Sequence, residues 1–478
     1  SSDEAGYSLR QGSISYPRRD PPASSPYPDT LPETLFASSF DDQQKALYLD
    51  VQHNSWHEWR DLSAGHWLYG ISNNTRHDCF SRPATVVPAE GLTLDDIEQH
   101  YALLFDPSSA TFTGQQQSWY QDGQQQPTIT SPAFPPRVAF TETAVLNENI
   151  LSALEGDITE SDLAQAGYST SAYLFPQDWD EGTTVWTARH GHTAYAPADH
   201  FFLPTRWRSA LLTGEMVAVR DHFDCVVVQI TDAAGLTTSA EYDWRFLTPH
   251  LIIDANANRR TVTLDALGRV TSFRFRGTED GVMTGYSDQS YTLPETADEA
   301  INVSAPIPVS RSQVYVADSW MLTGNARLPP HTVTLTTDRY DSDPDQQIRQ
   351  QVVFSDGFGR PLQTAIRQAS GSALQRNDDG SLGAEAETDY RWAVSGKTEY
   401  DNKGQPVRQW QPYFLNSWKF VSNDAARTGL YADTLYYDPT GREWLTETAK
   451  GGLRRTRYTP WFIVNEDEND TSGDNVTH

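Results

Sequence analysis

TVTLDALGRVTSFRF, residues 261–275, contains two strand patterns separated by a tight turn. Residues 261–264 and 270–275 alternate polar with β-branched or aromatic side chains, which is typical of strands with one buried face. Between them, Asp265 can accept hydrogen bonds from the backbone N–H groups ahead of it. Gly268 can take a left-handed conformation that residues with a Cβ adopt reluctantly. The stretch therefore predicts a β-hairpin.

The same turn sequence recurs further along the chain. Asp-x-x-Gly occurs five times between residues 232 and 441, each time beside alternating segments rich in Val, Thr, Tyr, Phe and Trp. The five pairs are Asp232 and Gly235, Asp265 and Gly268, Asp356 and Gly359, Asp401 and Gly404, and Asp438 and Gly441. Tyr400 and Tyr437 precede two of the aspartates, and Arg269, Arg360 and Arg442 follow three of the glycines, so an aromatic contact and a cross-turn ion pair are expected to recur. We interpret these ten Asp and Gly residues as structural turns of a continuous antiparallel meander.

The first third of the chain predicts a mixture of strand, loop and short helix. A strand pattern covers residues 7–16, and the proline-rich residues 17–34 indicate an extended connector because proline cannot donate to a β-ladder. Residues 114–136 are rich in Gln and Pro and are interpreted as loops. Three short helices are predicted, over residues 92–104, 143–154 and 159–166. After about residue 171 strands dominate, and residues 294–302 predict one helical turn or two.

The composition describes a folded, polar and strongly acidic chain. Of its 478 residues, 36 are Lys or Arg and 64 are Asp or Glu, which gives a net charge of −28. Binding to nucleic acid or to an anionic membrane needs clustered positive charge that this balance does not provide. The 14 Trp, 22 Tyr and 19 Phe are too many for a disordered acidic polymer. No apolar run approaches about 18 residues, so no transmembrane helix is predicted.

The cysteine content and the first residues limit the class of protein further. Cys79 and Cys225 are the two cysteines, which excludes a disulfide-stapled scaffold and a CxxC-type zinc module. The chain begins without Met and without a basic, apolar signal sequence, and strand-like alternation follows almost at once. We therefore predict that it is a piece of a longer polypeptide.

The sequence contains no GxSxG, Walker A or GxGxxG motif, and these are the commonest hydrolase, NTPase and dinucleotide signatures. Three sets of side chains have a spacing that resembles a metal site: His53 with His57; His190 and His192 with His200; and Asp341, Asp343 and Asp345. Each set lacks a partner that the corresponding motif requires, namely the metalloprotease glutamate, a further carboxylate or cysteine, and the glycine and bidentate glutamate of a calcium loop. We predict no catalytic residue, no cofactor and no metal ligand, and interpret the chain as non-enzymatic.

Several segments together resemble the B component of the bacterial ABC-type insecticidal toxin (Tc) complexes. The segments are residues 11–19, 35–44, 242–249 with the two turns that follow, 315–321, 354–360 and 458–470. The resemblance spans essentially the whole chain and depends on the combination, since no single motif would carry it. It identifies the chain with the C-terminal third of that component, which is similar to Rhs/YD-repeat proteins.

The resemblance implies a mainly β fold, a curved antiparallel Rhs/YD-type β-spiral that forms part of a hollow shell, with a few short helices in the first third. It implies that residues 1–140 are a mixed strand, loop and helix segment of the shell. Residues 141–312 would be the middle/C-terminal region of the B component, and residues 313–478 YD-repeat-like strands.

The resemblance also implies partners and a location. The C component would complete the shell and contribute the toxic enzyme that the shell encloses. The A-component pore would bind through a propeller that is not in this chain. The protein would be secreted, with no nucleic-acid partner and no direct membrane contact. The self-cleaving aspartyl protease of this family belongs to the C component, and no segment of this chain matches it.

An area estimate supports the need for a partner. If about half the chain is strand, roughly 240 residues give about 3,800 Å² of sheet, which would close into a sphere of radius roughly 17 Å. Inward side chains leave a radius of roughly 12 Å, whereas a domain of about 100 residues has a radius of gyration near 13 Å. The chain alone could therefore form a wall and not a container.

Two other functions remain open at this stage. A glycan-binding or adhesive β-rich surface protein would present solvent-exposed aromatic residues clustered on one ridge. A β-rich hydrolase would have a cleft with two carboxylates about 5 to 10 Å apart.

Overall fold

The computed structural model describes residues 1–17, 43–61, 63–83, 91–130, 132–154, 156–180, 182–209, 214–460 and 462–474, together with residues 34 and 85. These described residues form 31 strands and six short α-helices. They divide into two compact units, residues 1–237 and residues 238–478. The mainly β fold expected from the sequence is thus confirmed. Among the described residues, no helix is long and apolar enough to cross a membrane.

The described residues of the first unit form twelve strands and four short α-helices. Its strands are β1 (Arg10–Ser15), β2 (Ala46–Asp61), β3 (His66–Pro83), β4 (Ala110–Gln121), β5 (Pro127–Thr128), β6 (Val138–Asn147), β7 (Ser169–Ser171), β8 (Val185–His190), β9 (His192–Tyr195), β10 (Pro204–Arg208), β11 (Met216–Arg220) and β12 (Val227–Thr231). Its helices are α1 (Leu94–Gln99), α2 (Tyr101–Leu104), α3 (Glu148–Ala153) and α4 (Glu160–Gln165).

An antiparallel sheet organises most of the first unit. Its strands follow the order β1-β2-β3-β4-β6-β8-β7, with β5 beside β4. Strands β2 and β3 form a long hairpin in which Ala46 pairs with Pro83 and Asp61 with His66. One core of this unit consists of buried residues from β2, β3 and α2: Leu47, Leu49, Val51, Phe80 and Leu104. Strands β9 to β12 continue as an antiparallel meander.

The structure confirms three local predictions in this unit. Strand β1 lies inside the predicted residues 7–16. Helices α1 and α2 occupy the predicted residues 92–104, and the Thr93 hydroxyl accepts the N–H of Asp96 in a capping box. Helix α4 begins with the same arrangement, between Thr159 and Asp162. Nearly all of the predicted proline-rich connector at residues 17–34 lies outside the described residues.

Two predictions in this unit are wrong. The glutamines at residues 115–117 lie in strand β4 and not in a loop. The Gln115 side chain is buried, where its amide donates to the Ala172 carbonyl at 3.0 Å and accepts the Leu174 N–H at 2.9 Å. Residues 143–147 belong to strand β6, so the predicted helix over residues 143–154 is reduced to α3, which begins after the Asn147 cap.

A buried charged cluster joins strand β3 to the loop that precedes β8. The Arg76 guanidinium is fully buried and donates to both carboxyl oxygens of Asp78, at 2.9 Å from its Nε to Oδ2. It also donates to Asp180, at 2.9 Å from Nη2 to Oδ1. The rings of Phe112 and Tyr173 lie within 5.6 Å of its central carbon. The guanidinium therefore has carboxylates and aromatic faces as neighbours in the interior of the sheet.

The second unit is a longer series of strands interrupted by two short helices. Its strands are β13 (Thr237–Asp243), β14 (Thr248–Ile253), β15 (Arg259–Leu264), β16 (Val270–Glu279), β17 (Val282–Gly285), β18 (Arg311–Val316), β19 (His331–Thr337), β20 (Ile348–Ser355), β21 (Pro361–Gln368), β22 (Gly371–Arg376), β23 (Leu382–Thr388), β24 (Arg391–Ser395), β25 (Thr398–Tyr400), β26 (Pro406–Trp410), β27 (Tyr413–Leu415), β28 (Ala432–Tyr437), β29 (Glu443–Glu447), β30 (Leu453–Tyr458) and β31 (Ile463–Glu466). Its helices are α5 (Ala297–Ile301) and α6 (Asn423–Gly429).

The strands of the second unit form two sets. In the larger set, β13 to β16 are followed by β18 to β21, β24 and β27, with β17 beside β16 and with β22 and β23 paired to each other. The smaller sheet has the order β25-β26-β28-β29-β30-β31. Helix α5 confirms the helical turn predicted within residues 294–302, whereas α6 was not predicted. Both helices contribute to the main core, together with Phe354, Trp392 and Leu415 from the strands.

A lysine is buried in this core. The Lys397 ammonium is 1% exposed and donates to the Val421 carbonyl at 2.6 Å and to the Asn423 side-chain oxygen at 3.0 Å. Its nitrogen lies 4.1 Å from the centre of the Phe420 ring. Burial lowers the pKa of Lys397 from 10.5 to about 7, because the interior disfavours the charged form.

We expect this lysine to make the second unit more stable as the pH rises from 7 to 9. Between the folded pKa of about 7 and the unfolded value near 10.5, the unfolded chain binds more protons, so the free energy of unfolding increases with pH. The increase due to Lys397 is about 2 kcal/mol between pH 7 and pH 9. Urea unfolding followed by tryptophan fluorescence at both pH values measures it.

Lys397→Met should abolish that part of the pH dependence, while the same substitution at the exposed Lys450 should leave it unchanged. An identical increase in Lys397→Met and in the unsubstituted protein would show that the buried amine stays charged throughout this range.

Candidate functional site: a row of linked turns

The five Asp-x-x-Gly segments share one backbone geometry. In each, the glycine N–H donates to the aspartate carbonyl, and the aspartate N–H donates to the carbonyl of the residue after the glycine, at 2.9–3.1 Å. One carboxyl oxygen of the aspartate accepts the N–H groups of the third and fifth residues at 2.8–2.9 Å. The five glycines have φ between +79° and +87°, the region that favours glycine. The turns are those of Asp232 and Gly235, Asp265 and Gly268, Asp356 and Gly359, Asp401 and Gly404, and Asp438 and Gly441.

An arginine closes three of these turns. The guanidinium groups that follow Gly268, Gly359 and Gly441 bind the aspartate of their own turn at 2.6–2.7 Å. In the turn of Asp438, hydrogen bonds from the Thr440 hydroxyl and from the backbone of Arg442 hold the pKa of the carboxyl well below its ordinary value. The carboxylate is therefore ionised at neutral pH and serves as an acceptor inside its turn.

A tyrosine from a following strand binds each of the four Asp-x-x-Gly turns of the second unit. Its hydroxyl donates to the carbonyl of the second residue after the turn glycine. The four bonds are Tyr315 to Val270 at 2.9 Å, Tyr400 to Pro361 at 3.0 Å, Tyr437 to Pro406 at 2.8 Å and Tyr458 to Glu443 at 2.9 Å. In three of the four cases the turn arginine lies over the same ring, 4.3–4.4 Å from its centre.

These bonds explain why tyrosine directly precedes aspartate in the Tyr-Asp dipeptides. Tyr400 binds the turn before it, while the adjacent Asp401 closes its own turn, and Tyr437 and Asp438 repeat the arrangement. Each dipeptide therefore joins two consecutive turns.

The turns also touch directly. The Arg360 guanidinium lies 2.7 Å from the position that a Cβ of residue 404 would occupy, so Gly404 is needed for close approach as well as for its positive φ. In the next turn Gln405 replaces the arginine, and its amide donates to the Gly441 carbonyl at 2.9 Å. We refer to the turns of Asp265, Asp356, Asp401 and Asp438, with their tyrosines, as the linked turns.

Five further turns among the described residues have the same backbone geometry, and four of them were missed in the sequence. They begin at Asp3, Asp122, Asp254, Asn377 and Thr448 and have Gly6, Gln125, Ala257, Gly380 and Gly451 at the fourth position. Asp3-Glu4-Ala5-Gly6 matches the pattern and could have been found. The segment that begins at Asp254 was noted in the sequence as a turn. Its fourth residue is Ala257, at φ +61°, so it does not match the Asp-x-x-Gly pattern.

The side chains considered as metal ligands occupy ordinary structural positions. His53 and His57 lie in strand β2, and burial together with Arg10 and Arg76 lowers the pKa of His53 to about 4. His200 binds the Asp224 carboxylate at 2.9 Å. Within the described part of the chain, no group of three or more His, Cys, Asp and Glu could hold a metal ion.

The buried carboxylates are engaged by arginines. Among the described residues, Asp78, Asp180 and Glu142 are buried; the first two bind Arg76, and Glu142 accepts Arg189 at 2.9 Å. Burial raises the pKa of Asp78, while its hydrogen bonds with Arg76 act in the opposite direction. The contacts of this cluster join strand β3 to the segment that precedes β8.

Comparison with known proteins identifies relatives that have this architecture. Residues 1–71 match the family described as the insecticide toxin TcdB middle/C-terminal region. A solved TcdB2-TccC3 structure contains a chain that matches 98% of the present chain at 51% identity, with a TM-score of 0.89. The chain belongs to the family of Tc-toxin B components. A comparison with curated proteins gave no match.

Two other solved structures agree with this assignment to the B-component family. The structure of TcdB2-TccC3-Cdc42 matches 99% of this chain at 46% identity, with a TM-score of 0.89. The Photorhabdus luminescens Tc holotoxin pore with the TccC3 mutation D651A matches 99% at 46% identity, with a TM-score of 0.90. This B-component chain spans about a quarter of those chains, 23–25% of their length.

Proposed function

We propose that this chain is a structural, non-enzymatic segment of a toxin-complex B component and forms part of the wall of a hollow β-shell. The observation that carries the proposal is the similarity of almost the entire chain to TcdB2-TccC3 at a TM-score of 0.89. The linked turns give this similarity a physical basis, because the residues that recur serve the geometry of the sheet. The ten Asp and Gly residues of the five turns would then be the functional residues of the chain.

The partners follow from the same assignment. The C component would complete the shell and contribute the toxic enzyme enclosed in it, for delivery through the A-component pore. That pore would bind through a propeller outside this chain. The protein would act in the secreted toxin, without a nucleic-acid partner and without direct membrane contact. The division into residues 1–140, 141–312 and 313–478 stays a prediction.

Assembly with the C component tests this function. The complete B component containing this chain is expressed with its C component and analysed by gel filtration. Limited proteolysis then reports whether the toxic enzyme is enclosed. We expect the two components to elute together and the enzyme to resist a protease that degrades it when the C component is expressed alone. Separate elution, or equal degradation in both samples, would refute the proposal.

A further inference from the structure

One edge of the second unit collects four connections between strands. Neighbouring strands alternate in direction, so the connections β13–β14, β15–β16, β18–β19 and β20–β21 leave the sheet on the same side. We call this the turn edge, defined by residues 244–247, 265–269, 317–330 and 356–360. It includes the first two linked turns, and the Phe246 ring lies against Gly268 of the neighbouring turn.

The turn edge is apolar and exposed. Seven of its large apolar side chains are between 49% and 88% exposed. They are Trp244, Leu247, Leu267, Trp320, Met321, Leu322 and Phe358. On the opposite edge of the same strands, the connection between β19 and β20 carries Asp338, Asp341, Asp343 and Asp345, whereas the β16–β17 hairpin exposes Val282 and Met283. The turn edge differs in that its exposed apolar side chains recur along four connections.

The exposed residues at positions 320–322 belong to a well-fixed loop. The Ser319 hydroxyl beside them is buried and donates to the carbonyls of Leu328 and Pro329 at 3.0 Å. The Ser355 N–H donates to the Pro330 carbonyl at 2.9 Å, which holds the loop against the strand that enters the next turn. Because the loop is anchored at both ends of residues 319–330, its apolar side chains form a defined surface.

The size of the turn edge suits a stable interface. Seven side chains that each expose about 100 Å² amount to roughly 700 Å². A specific protein–protein interface buries about 800 Å² on each partner. The summed exposed area of these side chains approaches that value.

The spacing of the turn edge indicates the kind of partner. Successive connections are two strands apart, which corresponds to about 9.6 Å, and the four connections span about 29 Å. The edge of another antiparallel meander has the same period, so its turns could pack between these. A partner of this kind would cover the whole row with one repeated contact.

We infer that the turn edge is the docking surface for a strand meander of the C component. This inference rests on the proposed function and adds the surface to it. The apolar tips of Leu267, Phe358 and the loop 320–322 pack into the edge of that meander and lose their contact with water. The polar turns of Asp401 and Asp438, whose third residues are Lys403 and Thr440, continue the row of linked turns beyond this surface.

Two double variants of the complete B component test this. They are Leu267→Ser with Phe358→Ser, and Trp320→Ser with Met321→Ser. We expect each pair to weaken binding to the purified C component at least tenfold in biolayer interferometry. The matched control is Val282→Ser with Met283→Ser on β17, two apolar side chains that are also more than half exposed, and it should bind within twofold of the unsubstituted protein. All four substituted positions are exposed, so we expect both double variants to keep their fold. Unchanged far-UV circular dichroism checks this.

The other occupants of this surface are outcomes of the same experiment. Unaltered binding of both double variants to the C component would overturn the inference and leave the proposed function intact. If the variants instead lost binding to phosphatidylcholine vesicles, or lost self-association of the B component, a membrane or a second copy would be the occupant. Failure of the unsubstituted B component to bind the C component would overturn both proposals.

Discussion

Replacing Arg76 with methionine is expected to lower the free energy of unfolding of the first unit by about 3–5 kcal/mol. The substitution leaves Asp78 and Asp180 buried without a counter-charge, and it removes the donors that hold the carbonyls of Leu174 and Phe175 at 3.3–3.4 Å. The loss arises mainly from uncompensated burial of charge, since a methionine fills much of the same space.

Hydrogen exchange measured by mass spectrometry on the complete B component reports this locally. Strand β3 and residues 172–180 should lose protection together. Arg206→Met is the matched control, because Arg206 and Glu215 form an exposed ion pair at 3.7 Å that should contribute less than about 1 kcal/mol. Adding Asp78→Asn and Asp180→Asn to Arg76→Met should recover part of the loss. A loss below about 1 kcal/mol in the single variant would mean that water reaches the two carboxylates.

The turns show what the sequence can predict about this fold. An Asp-x-x-Gly turn is closed by bonds among five consecutive residues, so the pattern carries its own structural information. The same holds for the capping boxes of α1 and α4, in which Thr93 and Thr159 bind a residue three positions later. The cross-turn ion pairs are similarly local, since each arginine lies four residues after its aspartate.

The errors concern residues whose partners are distant in sequence. The sequence around Gln115 favours a loop because a glutamine-rich segment has no apolar face, yet the Gln115 amide binds backbone groups 57 and 59 residues away. Tertiary pairing of this kind overrides composition. No sequence pattern predicted the ion pair between Arg76 and Asp180, because Asp180 lies 104 residues after Arg76. The tyrosine links were expected only as an aromatic contact, because the carbonyl acceptors belong to other strands.

The linked turns also explain why one substitution in a turn can affect assembly. The turns of Asp356, Asp401 and Asp438 contact one another through an arginine, a glutamine and two tyrosines, and the turn of Asp265 contacts Tyr315 of strand β18. A displaced turn therefore moves the acceptor of its tyrosine. In the turn of Asp265, that acceptor is the Val270 carbonyl, and the neighbouring Phe246 ring occupies the space beside Gly268. A change at Gly268 therefore acts on two neighbours at once.

Gly268→Val should reduce the free energy of unfolding of the second unit by about 3 kcal/mol, because a β-branched residue is strained at φ +80° and its Cβ would lie 2.9 Å from the Phe246 ring. Gly268→Asn should cost less, since asparagine tolerates the left-handed region. Gly357→Val is the control, as residue 357 lies in the same type of turn without a positive φ and with no atom within 4 Å of its Cβ position.

Urea unfolding and gel filtration with the C component measure both consequences of the Gly268 substitution. Gly268→Val displaces the backbone of the turn edge and should co-elute poorly with the C component. Gly357→Val lies in the turn edge as well but needs no change of backbone conformation, so it should co-elute normally. If Gly268→Val unfolded at the same urea concentration as the control and co-elution were normal, the turn would be free to rearrange. The linked turns would then not determine the geometry of the sheet.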